Sequence, residues 1–100
     1  MLKRKRWLDV LGVKHKVRHL KFKGEEAGCE GFYDTQTQLI EISNEIQDQT
    51  KYNQVLMHEG FHGVLHLNGS AQDLVISQEH AIIDSFITFL YRNFEIKLKD

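Results

Sequence analysis

The sequence predicts an α+β domain in which a small antiparallel sheet, a strand plus a hairpin, packs on two antiparallel helices. Three observations carry this. The first half alternates polar and apolar residues with the period of a strand. From Asp48 onward the period becomes helical, over a run of about five turns. A short polar link, Asn68 to Asp73, then separates that run from a second helical one. With 100 residues, 41% of them apolar, and no proline or repeat to mark a boundary, the chain reads as a single domain, 1–100, with a modest core.

Residues 14–23 (KHKVRHLKFK) interleave charge with Val17, Leu20 and Phe22 and predict the first strand. GEEAG is a loop. Cys29 to Tyr33 and Thr37 to Ser43 form the arms of a hairpin, with Asp34-Thr35-Gln36 at its turn. On the last arm Ile40 and Ile42 share one face, and Leu39 and Glu41 the other. DQTKYNQVLMHEGFHGVLHL is the first helix, stopped at Asn68-Gly69, where glycine accepts a left-handed conformation. Ser70 followed by Asp73 resembles a capping pattern, so the second helix should run from about Ala71 to Asn93. The short connection makes the two helices antiparallel neighbours.

Charge is unevenly distributed. Residues 1–24 hold nine Lys/Arg against Asp9, for +8, whereas residues 25–100 hold four against thirteen acids, for −9. The favoured reading is a basic segment packed beside an acidic body. The less favoured one is an arm for nucleic acid or an acidic protein. No stretch reaches the ~18–20 apolar residues that span a bilayer, and WLDVLGVKHK stands where a signal's apolar region would follow the basic start. One cysteine cannot form an internal disulfide. A soluble cytoplasmic protein with no membrane partner is therefore expected.

The chemistry concentrates in HEGFHGVLH, residues 58–66. His58 and His62 stand four apart, so a helix places them on one face, able to pinch one ion. Neutral imidazole suits zinc, and a catalytic zinc keeps three protein ligands and a water. Glu59 can reach that water as general base, the arrangement of H-E-x-x-H metallopeptidases. His66 lies about 12 Å from His58 along the axis, beyond a third corner of the same site, and reads as a flank of it.

The third ligand should come from the second helix. Val75, Ile76, Ile82, Ile83, Phe86, Ile87 and Leu90 make an apolar stripe with Glu79 in its middle. A buried carboxylate is costly unless paired or metal-bound. Glu79 would complete a His₂Glu set with His58 and His62. His80 is the competing ligand, although it can instead pair with Asp84 four residues on. Asp84 could alternatively orient a ligating histidine.

Other residues carry weaker signals. Gly60 and Gly63 imply close approach, either of a strand or of a substrate. Tyr33, Tyr52 and Tyr91 are candidates to donate to a developing oxyanion. His15 and His19, among lysines, should be solvated, and Cys29 should be a small core residue.

At GFYDTQTQLIEIS, VLMHEGFHGVLH and QEHAIIDSFITFL the chain resembles small phage- and mobile-element-type zinc metallopeptidases related to the ImmA/IrrE family. The likeness spans roughly residues 30–92. It implies a minimal zincin-like core with His58, His62 and Glu79 on the zinc and Glu59 as catalytic base. The expected function is zinc-dependent hydrolysis of a peptide or protein substrate, held as an added strand along Thr37–Ser43. The alternative is a non-catalytic, zinc-stabilised binding module whose basic N-terminal segment contacts nucleic acid or an acidic protein.

Overall fold

A computed structural model describes residues 1–99 and has the expected α+β architecture. Strands β1 (Trp7–Val10), β2 (Val13–Leu20), β3 (Gly31–Asp34) and β4 (Leu39–Ser43) form one sheet, followed by helices α1 (Gln49–Leu67) and α2 (Ile76–Asn93). The strand order is β1-β2-β4-β3. The two hairpins are antiparallel, while β2 and β4 run parallel at the centre, so the sheet is mixed. Its second hairpin folds back with β4 inward, leaving β1 and β3 as the edges. Thr37–Ser43 is therefore not the edge strand expected to receive a substrate; that position belongs to β3.

The first hairpin replaces the single strand expected at 14–23. Leu11 (φ 52) and Gly12 (φ 85) take positive φ in a two-residue turn, the geometry that matches the twist of paired strands. Asp9 Oδ1 accepts from Gly12 N at 2.7 Å and fixes the turn. With that register His15, Val17 and His19 face α1. His15 is consequently buried, its Nε2 3.0 Å from Tyr33 Oη and its Nδ1 3.0 Å from the Val13 carbonyl. His19 Nε2 lies 2.7 Å from Tyr52 Oη. Neither is the solvated surface histidine that its lysine neighbours suggested. Cys29, in contrast, is exposed rather than in the core.

α1 begins where expected, with the Asp48 side chain accepting from Lys51 N at 2.8 Å, a cap worth about 1 kcal/mol. It lies across the inner sheet face. Ile40 and Ile42 are fully buried there against Tyr52, Val55, Leu56 and Val17. Gly60 and Gly63 make that approach possible. A Cβ at Gly60 would stand 2.8 Å from Leu8 Cδ2, and one at Gly63 3.1 Å from Val10 Cγ1 and 3.2 Å from Tyr33. Their role is close packing of strand on helix.

Residues Ser70–Asp73 form a separate short 3₁₀ turn, so α2 starts five residues later than the capping pattern suggested. Gln78 Oε1 accepts from Val75 N at its start. The pairs His58–Asp84 and His62–Glu79 descend along α2 as they ascend α1, as in an antiparallel pair. Only Ile83 and Ile87 of the apolar stripe are buried. Val75, Ile76, Ile82 and Phe86 are exposed, because one helix cannot cover so wide an arc. No helix among the described residues is long and apolar enough to cross a membrane.

Candidate metal centre

The four-residue spacing does what helical geometry requires. His58 and His62 project from one face of α1 with their Nε2 atoms 3.1 Å apart. Each ring is held from behind by a carboxylate of α2. His62 Nδ1 lies 2.6 Å from Glu79 Oε1, and His58 Nδ1 3.0 Å from Asp84 Oδ1. A carboxylate only accepts, so these partners assign the proton of each ring to Nδ1 and leave both Nε2 lone pairs directed at the shared space. Two lone pairs facing each other at 3.1 Å repel unless an electron-pair acceptor lies between them. Tetrahedral bonds of ~2.0–2.1 Å place neighbouring nitrogens about 3.3 Å apart, close to the spacing found. Three histidines could hold a metal ion here: one ring nitrogen each of His58, His62 and His80 lie within 4.8 Å of one another.

This grouping differs from the expected set at its third member. His80 converges with the α1 pair, its ring centroid 5.0 Å from that of His58 and 4.8 Å from that of His62. Glu79 is brought to the site as well, but on the Nδ1 side of His62. Asp84 pairs with His58 and not with His80, the orienting arrangement that the sequence left open. His66 stays outside the group, exposed and edge-on to Tyr33 at 6.5 Å.

Glu59 lies 7% exposed, on the side of α1 that faces β3. Burial pushes its carboxyl pKa up to about 7, into the range where an acid exchanges protons at neutral pH. Burial, with the neighbouring His62 and His80, also keeps the His58 pKa below its ordinary value, against the pull of Asp84. Beside these groups a cleft of about 540 Å³ runs between β3 and α2, lined among others by Gly31, Val55, His58, Glu59, His80 and Asp84. None of the three tyrosines lines it. Tyr33 and Tyr52 donate to or accept from His15 and His19, and Tyr91 Oη is buried with no hydrogen-bond partner among the described residues.

Gly31 belongs to the site although it lies outside the HEGFH motif. A Cβ there would meet Glu59 Oε2 at 3.1 Å, the Glu41 carbonyl at 3.1 Å and Val55 Cγ1 at 3.0 Å. Its signal was a glycine inside a strand pattern, which marks close approach of another group. The strand it belongs to is also open on one side. Ser43 N donates to Glu30 O, so in the alternating antiparallel ladder Gly31 and Tyr33 are the pairs whose main-chain groups turn away from β4. No protein-family model, curated protein or solved structure matches the chain, so its function is read from this site alone.

Proposed function

We propose that the chain is a zinc-dependent metallopeptidase. One observation carries the reading: converging histidine nitrogens, backed by carboxylates, stand beside a buried glutamate that titrates near neutrality in an open cleft. In this reading His58, His62 and His80 hold the zinc, and Glu79 and Asp84 fix the rings of His62 and His58. The chemistry that a bound zinc supplies is Lewis acidity toward a water molecule and a peptide carbonyl. Glu59 removes a proton from the attacking water as the new C–O bond forms at the carbonyl carbon, and returns it to the nitrogen, so that the C–N bond then breaks and the amine departs. The free edge of β3 offers the N–H and C=O of Gly31 and Tyr33 to an extended peptide. Main-chain pairing there gives affinity with little demand on substrate sequence. An exposed, unpaired Cys29 fits a reducing compartment, the cytoplasm.

The test is hydrolysis of an unfolded protein by the zinc-loaded chain, read as new termini by mass spectrometry. Glu59→Gln should retain zinc and form none. Equal cleavage by that variant would refute the mechanism. The second reading, a zinc-stabilised binding module without catalysis, draws on the 2.6 Å approach of Glu79 to His62. In that reading Glu79 leaves His62 Nδ1 and swings round to the Nε2 side, where it becomes a fourth protein ligand and closes the site. Cobalt substitution separates the two readings. An open site changes its visible spectrum when azide is added, and a closed one does not.

A further inference from the structure

A second concave surface lies on the face of the sheet opposite α1. It encloses about 340 Å³ and is lined by Trp7, Lys14, Lys16, Arg18, Thr37 and Gln38, with Leu39 and no acid among its walls. We propose that this surface binds single-stranded nucleic acid, with a base stacked on Trp7 and the adjoining phosphates held by Lys14, Lys16 and Arg18.

The placement follows from strand parity. Leu8, Val10, His15 and Val17 turn toward α1, so Trp7, Lys14, Lys16 and Arg18 must turn outward. The register sets Trp7 directly opposite Lys16, and Lys14 Nζ stands 4.6 Å from the indole centroid. The ammonium orients the ring while leaving the residue 46% exposed, unusually open for a large aromatic on a strand. An aromatic platform flanked by cations is how proteins hold single strands: bases stack, and lysine and arginine follow the backbone. The side chains of Thr37 and Gln38 add hydrogen-bonding groups at the rim.

Three acids share this face, Asp9, Glu41 and Asp34, and they define the limits of the site. The carboxylate of Asp9 is engaged by Gly12 N, and Glu41 pairs with Arg18. Arg18 is therefore a shared contact, and Lys14 and Lys16 are the principal ones. Beyond Glu41 the sheet carries Asp34, so a polyanion is confined to the β1–β2 half. An acidic peptide would use the same cations, but its acidic side chains have no ring to stack on the indole, whereas every base of a single strand has one. A duplex hides its base faces. Both the charge and the aromatic group are therefore used together only by an unpaired strand.

Trp7 is the sole tryptophan of the chain, so its emission reports the site directly. The full chain is titrated with an oligothymidylate of about 12 nucleotides. Quenching should saturate, and log K should fall with log salt at a slope between about −1.4 and −2.1, as for two or three phosphate contacts to a single strand. With a labelled oligonucleotide, Trp7→Ala should weaken binding about 5- to 150-fold, Trp7→Phe should restore most of it, and Lys14→Gln with Lys16→Gln should flatten the salt slope. His62→Ala should bind as the parent does, which separates this surface from the metal centre. Absence of binding at low salt, unchanged affinity in a folded Trp7→Ala protein, or equal affinity for polyglutamate or for a duplex would each overturn the proposal.

Discussion

Replacing Glu59 by glutamine exchanges a buried acid for a neutral group of the same shape, and in the metal-free protein its effect should depend on pH in a defined way. The carboxyl titrates near its ordinary 4.5 in the unfolded chain and at about 7 in the folded one. Below 4.5 both states hold the proton and the acid contributes no pH dependence. Between 4.5 and 7 the folded state keeps a proton that the unfolded state has released, so wild-type stability falls as pH rises. Above 7 both are ionised and the loss is complete. A shift of about 2.5 units at ~1.4 kcal/mol per unit gives about 3 kcal/mol. The amide's own hydrogen-bonding cost is the same at every pH and drops out of the slope. Urea unfolding of both chelator-treated proteins between pH 4 and 9 measures this. Stability of Glu59→Gln minus wild type should climb by about 3 kcal/mol through that window, since all other groups cancel. A difference that stays flat would mean that Glu59 is not buried as an acid, and its role as a neutral-pH base would lose its physical ground.

Gly31→Ala should crowd Glu59 Oε2, the Glu41 carbonyl and Val55 together. A loss of ~1–3 kcal/mol in thermal or urea unfolding is expected, with proteolytic rate reduced and zinc still bound. Tyr52→Phe removes the hydroxyl that serves both Lys5 N and His19; leaving those groups unsatisfied should cost ~1–3 kcal/mol in urea. Burial first, and Arg4 second, hold the His19 pKa below 6.5. Its contribution is therefore intact above pH 6.5 and lost as pH falls below that value, which NMR titration of the ring and a pH series of unfolding midpoints can follow.

Much of the domain was legible in the sequence, for identifiable reasons. The α1 helix has a cap at Asp48 and a period long enough to be unambiguous, and two histidines four apart must share a face. Parity alone put Ile40 and Ile42 on one face of their strand, and that face is the one buried against α1. Parity says which way a side chain points but not which strand lies beside which, so the inward position of β4 could not be read. The first hairpin was hidden because Leu11-Gly12 lacks the Asn-Gly or Asp-Gly signature of its turn. The convergence of His80 with the α1 histidines was hidden for a reason of phase. The apolar arc of α2 is wider than α1 can cover, and its middle points to Glu79. Burial instead centres on Ile83 and Ile87, whose mean direction lies about 40° from His80 and about 60° from Glu79 at ~100° per residue. That smaller rotation brings His80 beside the His58 and His62 rings and leaves Glu79 behind the His62 ring.

The metal centre is tested most directly by zinc titration of wild type, His62→Ala, His80→Ala and Glu79→Ala, each checked for folding by circular dichroism. One equivalent should bind to wild type. His80→Ala should lose affinity as severely as His62→Ala, because each removes a bond to the ion, whereas Glu79→Ala should lose about 10- to 100-fold, the effect of releasing a ligand's orienting partner. Near-wild-type affinity in His80→Ala, with collapse in Glu79→Ala, would contradict the three-histidine site and return the third position to the glutamate.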